Sequence, residues 1–382
     1  MYQDDFPIGP LELLIFQSTS FCNLDCKYCY LPDRSSKKKI NIDIIRNTLL
    51  KLVEEKIIQD DFCIVWHAGE PTVMPIDFYK KVNELIQEII PSNVKVTQQI
   101  QTNATLLNDE WCEFFNESKM QVGVSIDGPK EINDKNRVLR NGKGTYEEII
   151  KGINLLKKHN IEFSVISVLT NQSINFPADI YNFFKELGPI SVGFNIDEEE
   201  GVNIKSSIDE NSETKLKEFW RTIFQLQLTK SNYLNIREIS EFKESLLNMN
   251  LSSKSISVGQ MTNPLSIITI DTEGNFSTFS PELLGMKDKH YNDFLFGNIN
   301  TDSFLSIKKN KKFNLVYDDI NNGIKKCYDT CDYFTFCGGG APSNKLYENG
   351  NFNTTETKYC KYSKKIIVDA LMDEIEERLS IK

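Results

Sequence analysis

STSFCNLDCKYCYLPDR spans residues 18–34 and places Cys22, Cys26 and Cys29 within eight positions, directly after the strand-like run LELLIFQST (11–19). A structural zinc site wants four ligands, usually as two C-x2-C knuckles, and the next cysteine, Cys63, falls inside another strand-like run. Three thiolates can hold a [4Fe–4S] cluster by three of its irons and leave the fourth iron open to a small molecule. A three-cysteine zinc site, or three buried structural thiols, are the bland alternatives; free core cysteines do not cluster in this way.

Strand-like runs at 11–19, 62–67, 95–103, 121–127, 163–170 and 191–197 alternate with amphipathic stretches at 40–56, 75–90, 108–118, 145–158, 176–187 and 213–229. Ile149, Ile150, Ile153, Leu155 and Leu156 show the helical spacing of the fourth stretch. Such units imply an α/β fold with a parallel sheet and right-handed crossovers, with the chemistry at the carboxyl ends of the strands. After residue 232 the pattern changes. A helix over 236–249 precedes an antiparallel pair, LSIITI and NFSTFS, joined by Asp-Thr-Glu-Gly at 271–274. A Cys- and Gly-rich segment (327–360) and an amphipathic helix (364–379) follow. The expected division is 1–232, 233–363 and 364–382.

The 382 residues carry a formal charge of −10, 40% hydrophobic and 26% charged residues. No basic block suits a nucleic-acid or membrane partner; Lys37-Lys38-Lys39 reads as a solvated helix start. The N-terminal MYQDDFPIGP lacks a signal architecture and no run of 18 apolar residues occurs. A cytoplasmic protein is expected, in which clustered cysteines bind metal or do redox chemistry rather than form disulfides. Cys63, Cys112 and the lone His67 read as structural.

With Tyr28 between its second and third cysteines, the 18–34 stretch resembles the cluster loop of radical S-adenosylmethionine (SAM) enzymes. The resemblance implies a partial (β/α)6 TIM-like barrel. It also implies that SAM chelates the open iron and yields a 5′-deoxyadenosyl radical that abstracts hydrogen from a substrate, with a flavodoxin- or ferredoxin-type electron donor. WHAGEP (66–71) is similar to the family's Gly-Gly-Glu-Pro motif, which holds the SAM amino group, with Ala68 in place of the first glycine before Gly69 and Glu70. IQTNATLL (100–107) and VGVSIDGP (122–129) resemble segments of the peptide-modifying branch. They imply that Ser125 touches the SAM carboxylate or ribose with Asn103 and Asp127 nearby, and that Arg137 pairs with the SAM carboxylate.

Cys327, Cys331, Cys337 and Cys360 have the spacing C-x3-C-x5-C-x22-C, which by itself fits an iron–sulfur cluster or zinc. CDYFTFCGGGAPSNKLYENG (331–350) resembles the SPASM extension of radical SAM maturases, which favours one auxiliary [4Fe–4S] cluster. Residues 233–326 contain no cysteine, and Ser280 stands where one is sought. One auxiliary cluster rather than two can then be ligated, which weakens an assignment to sulfatase-maturing enzymes. GFNIDEEEGVN (193–203) and FSPELLGMKDKHYNDFLFGNI (279–299) look like the cyclophane-forming maturases of ribosomal peptides, implying a precursor-peptide partner. The carboxylates of Glu200 and then Asp197, at the end of the sixth strand, are the candidate catalytic groups. Cys22 follows Met1 so closely that no separate leader-recognition domain is expected before the core. Thioether formation, epimerisation and formylglycine generation are the alternative reactions, and a metal-bearing scaffold or redox sensor is the non-enzymatic one.

Overall fold

The computed structural model describes residues 6–229, 233–248 and 259–380. Its first part is a run of strands and helices: β1 (Leu13–Phe16), α1 (Ile42–Glu54), β2 (Phe62–Trp66), α2 (Ile76–Ile89), β3 (Val96–Thr102), α3 (Asp109–Ser118), β4 (Gln121–Ser125), α4 (Lys130–Asn136), α5 (Tyr146–Lys158), β5 (Phe163–Leu169), α6 (Pro177–Leu187), β6 (Ser191–Ile196), α7 (Glu213–Thr229) and α8 (Arg237–Asn248). Polar caps start several of the helices. Asn41 Oδ1 accepts the Asp43 N–H at 3.0 Å before α1, and Asn108 Oδ1 accepts the Trp111 N–H at 2.9 Å before α3. Ile149, Ile153 and Leu156 of α5 are fully buried, with Ile150 and Leu155 packed at the edge of the core.

Strands β1 to β6 pair in parallel in sequence order. Next to β1 on its other side lies β7 (Ile267–Ile270), also parallel, with Leu13 opposite Ile267 and Phe16 opposite Ile270. Strand β8 (Asn275–Thr278) pairs antiparallel with β7, and the short strand Gly297–Asn298 completes the sheet. The 232/233 boundary expected from sequence lies outside the described residues, as does residue 249 of the helix expected there, but one sheet carries both parts. The physical reason lies in β1. Its LLIF segment is almost wholly buried, and a buried parallel strand needs a partner on each edge. The β7–β8 turn forms as its composition requires: Asp271 Oδ1 accepts the N–H groups of Glu273 (2.8 Å) and Asn275 (2.9 Å), and Gly274 takes φ +83°.

A long helix, α9 (Lys311–Thr330), leads to the cysteine-rich segment. The closing helix Ile366–Ser380 packs on α7 through Lys217–Asp373 (2.6 Å), Arg221–Glu377 (2.7 Å) and Gln225–Glu374 (2.8 Å) contacts. Aromatic rings fill the layer between sheet and helices, where Trp66 stacks on Phe16 at 5.2 Å and meets Tyr79 edge-on at 5.0 Å. Cys112 is fully buried there, as expected. Cys63 is only half-buried, because β2 alternates: Phe62, Ile64 and Trp66 fill the core while Cys63 and Val65 point to the opposite face. Among the described residues no helix is long and apolar enough to cross a membrane.

Because β7 closes the free edge of β1, a cavity in β7 should weaken the core itself. Ile268 is fully buried, and Ile268→Ala is expected to cost about 2–5 kcal/mol, measured by urea denaturation.

Candidate active site at the carboxyl ends of the strands

The loop after β1 carries Cys22, Cys26 and Cys29 and is pinned by main-chain hydrogen bonds. The N–H of Cys22 reaches Arg34 O (3.1 Å), that of Asp25 reaches Val138 O (2.8 Å) and that of Lys27 reaches Asn136 O (3.0 Å). Arg140 donates to the Cys22 carbonyl from Nε (3.0 Å) and Nη2 (2.7 Å). The three thiols are unpaired by disulfides and line one cavity of about 230 Å3. Burial, more than any neighbouring charge, pushes Cys22 up to about 12 and Cys26 up to about 11. Such thiols become thiolates when a metal supplies the positive charge. Among the described residues no three His, Cys, Asp or Glu side chains converge on one ion position. Three thiols on one cavity fit a cluster gripped at three irons.

The Ala68-Gly69-Glu70 turn forms the next wall. Ala68 and Gly69 both have left-handed backbones, φ +72° and +60°. A Cβ on Gly69 would lie 2.4 Å from Thr19 O and 2.6 Å from Phe21 O, so only glycine lets this turn meet the cysteine loop. Alanine at 68, where the family has glycine, tolerates a conformation that costs an L residue about 1–2 kcal/mol. Glu70 is buried, and its carboxylate accepts from Thr72 N–H (3.0 Å), Thr72 Oγ1 (2.5 Å), Thr102 Oγ1 (2.7 Å) and Asn103 N–H (2.7 Å). Burial raises its pKa while these bonds oppose the rise. Glu70 thus fastens the turn to the end of β3, and Asn103 Nδ2 reaches Asn23 Oδ1 (2.9 Å) and Cys22 Sγ (3.8 Å).

Asp127 is 1% exposed and does not line the cavity; it holds two residues that do. Its Oδ2 accepts the Tyr28 hydroxyl at 2.6 Å, and Oδ1 accepts Arg137 Nε at 3.0 Å and the Val168 N–H at 3.0 Å. The Arg137 guanidinium also lies 5.6 Å from the Tyr28 ring centre. Ser125 faces the cavity and accepts from Gln101 Nε2 at 2.9 Å.

The same cavity has an acidic part of its lining. Asp197 spends both carboxylate oxygens on its own loop, accepting from Asn203 Nδ2 (2.9 Å) and the Ser207 N–H (2.7 Å). The turn after Glu200 forms as its glycine suggests: Gly201 has φ +57°, and a Cβ there would stand 2.2 Å from Tyr30 O of the cysteine loop. Glu200 is 6% exposed, and its Oε1 has no hydrogen-bond partner among the described residues. Beside it stand Glu198, which accepts from Asn344 Nδ2 at 2.7 Å, and Glu282. Burial, then mutual repulsion, raises Glu198 to about 8 and Glu200 well above the usual carboxylate range, and burial raises Glu282 to about 7. Glu282 escaped the sequence reading; no local signal marks it, since only the extension's path over the sheet brings it here. Ser280 is buried with its Oγ unpartnered among the described residues. His67 lines the same cavity, and burial lowers its pKa.

A second cavity of about 250 Å3 brings together Cys327 at the end of α9, Cys331, Cys337 and Cys360. Gly338, Gly339 and Gly340, all with positive φ, turn the chain around it. Burial pushes Cys360 up to about 12 and raises Cys337. Four thiols on one cavity fit a fully ligated cluster.

A model of the radical SAM superfamily matches residues 16–197. An uncharacterized protein of Synechocystis sp. is 39% identical over 378 residues, covering 98% of this chain and 94% of that protein. The cysteine-type anaerobic sulfatase-maturating enzyme of Clostridium perfringens is 28% identical over 344 residues, 87% of this chain and 88% of that one. A solved structure, native anSMEcpe with bound AdoMet and Cp18Cys peptide, superposes with a TM-score of 0.78 at 25% identity, covering 98% of this chain and 100% of that chain. The chain belongs to the radical SAM superfamily. It is an enzyme of that class, with SAM and [4Fe–4S] clusters as its cofactors.

Two measurements test the site. Asp127→Asn strips the buried Arg137 of its counter-charge and is expected to cost about 3–5 kcal/mol and to weaken SAM binding, read by denaturation and equilibrium dialysis. For pH, Glu198 and Glu282 hold protons in the folded chain at values where an unfolded carboxyl, near 4.3, has lost them. Stability therefore falls as pH rises from about 4.5 to 8, and the Glu198→Gln, Glu282→Gln double variant flattens that fall in thermal melts.

Proposed function

We propose that the enzyme matures a ribosomally made precursor peptide by joining an unactivated side-chain carbon to an aromatic ring, forming a cyclophane. The observation that carries this reading is the composition of the main cavity. It is lined by the three cysteines and the Gly-Glu turn, by Glu200 with a buried carboxylate oxygen that has no partner among the described residues, and by the apolar Leu31, Ile166, Val168 and Ile196. Cys22, Cys26 and Cys29 would hold the cluster, and Gly69, Asn103, Ser125 and Arg137 would hold SAM. When bound, the two together supply one-electron cleavage and abstraction of a hydrogen atom from the substrate.

Ring attack by the carbon radical leaves one proton and one electron to remove. Glu200 Oε1, when ionised, is placed to take the proton, and burial beside Glu198 and Glu282 raises its affinity for it. Asp197 serves by shaping the loop. Cys327, Cys331, Cys337 and Cys360 would hold an auxiliary cluster, which would supply an acceptor for the electron, and a flavodoxin- or ferredoxin-type partner would supply the electron that starts each cycle. A peptide substrate is supported by the similar solved structure, which holds one.

The second reading is formylglycine generation, favoured by the 28% identity to the sulfatase-maturating enzyme over 87% of this chain. Anaerobic co-expression with the short peptide encoded beside the gene separates the two. A cyclophane shows loss of two hydrogens, fragmentation blocked between an aromatic residue and a neighbour two or three positions on, and no reaction with hydrazides. A hydrazide-reactive product that fragments freely would sink the crosslink. Glu200→Gln is expected to lower crosslinked product by about 10²–10⁴-fold while 5′-deoxyadenosine still forms, as measured by quantitative mass spectrometry.

A further inference from the structure

The helix Pro342–Asn349 follows the three glycines of the second cavity, and its Lys345 is 4% exposed. Lys345 Nζ lies 3.6 Å from Cys327 Sγ. Among the described residues it forms no ion pair with a carboxylate; it lines the cavity of Cys327, Cys331, Cys337 and Cys360 instead. The other lysine on this cavity, Lys365, behaves differently: it is partly exposed and paired with Glu356. Space for the buried ammonium comes from Gly323 on α9, one turn before Cys327, where a Cβ would stand 3.1 Å from Nζ. An ammonium buried without a counter-charge is costly, so the fold keeps it where negative charge arrives by another route. Four thiolates around an iron–sulfur cluster bring that charge, and reduction adds one more electron to it.

We propose that Lys345 is a positioning residue for electron transfer, whose ammonium beside Cys327 stabilises the reduced auxiliary cluster and raises its reduction potential. This rests on the reading that the four C-terminal cysteines ligate that cluster. The step is a one-electron uptake; the iron–sulfur bonds stay intact, no proton moves, and Lys345 stays charged. Charge and hydrogen bonds at the sulfurs are known to set such potentials.

The test is a dithionite titration, followed by electron paramagnetic resonance, of the reconstituted full chain carrying Cys22→Ala, Cys26→Ala and Cys29→Ala, so that only the auxiliary cluster reports. Iron analysis comes first: about four irons in this background sustain the ligand reading, and none overturns it whatever Lys345 does. Lys345→Met and Lys345→Gln are then expected to move the midpoint to more negative potential by at least tenfold in the reduction equilibrium, about 59 mV for a one-electron couple. Lys345→Arg should stay near the parent value. Unchanged midpoints in both neutral variants overturn the inference while leaving the ligand reading intact. A parent-like midpoint in Lys345→Gln alone overturns it too, since a neutral donor then suffices. Should Lys345→Met hold no iron, Lys345→Gln decides.

Discussion

The buried pair of Asp127 and Arg137 is the contact on which the catalytic end of the sheet depends. Asp127 joins four pieces of chain at one carboxylate: the end of β4 that carries it, Tyr28 in the cysteine loop, Arg137 after α4 and the Val168 backbone in β5. A buried ion pair contributes little net stability, because desolvating both charges offsets most of their attraction. What it does here is fix register. Tyr28 sits between Cys26 and Cys29, so the position of the thiols follows from a residue a hundred positions away in sequence. Glu70 does the same for the neighbouring turn, with four donors from two segments on one carboxylate. Two buried carboxylates therefore tie the cysteine loop and the Gly-Glu turn to the ends of the strands.

The acidic wall follows the opposite logic. Glu198, Glu200 and Glu282 are buried together, and among the described residues none has a cationic partner, whereas the neighbouring Glu199 pairs with Lys358 at 2.8 Å. Three such groups cannot all be ionised in one poorly hydrated place, and the raised pKa values express that conflict. A site in this condition is poised to exchange protons near neutral pH, which a reaction releasing a ring proton requires.

Much of this was legible in the sequence where the signal was local. The alternation of strands and helices rests on periodicities of 2 and 3.6, and the six strands and six helices expected before residue 232 lie within a few residues of β1–β6, α1–α3 and α5–α7, while the short α4 was not expected. The cysteine groups were legible as groups because close spacing gathers thiols, while the choice of iron–sulfur over zinc came from the family resemblance. Three features were not. Strand β7 looked like the start of a separate unit because nothing in IITI names its partner, and only the unfilled edge of β1 explains it. Glu200 ranked ahead of Asp197 only through the glycine that follows it; the chemical difference, both oxygens bound in Asp197 and one unpartnered in Glu200 among the described residues, is set by Asn203 and Ser207 folding back. Glu282 and Lys345 become chemical only through the path of the extension.

That path gives the helix Pro342–Asn349 a place in both cavities. Asn344 donates to Glu198 at 2.7 Å, and Tyr347 donates to the Glu282 carbonyl at 3.1 Å. Lys345, between them in sequence, points to Cys327 instead. Successive residues on a helix point about 100° apart, so one short helix serves two sites without strain. Its start is fixed by the glycines that wrap the second cavity, and its Asn344 holds a carboxylate of the first. Any shift of this helix that filling the second cavity imposes must therefore reach Glu198 through Asn344. The same eight residues thus touch both Glu198, beside the proposed proton acceptor, and Cys327, a proposed ligand of the electron acceptor, so one short element links the two ends of the proposed oxidation.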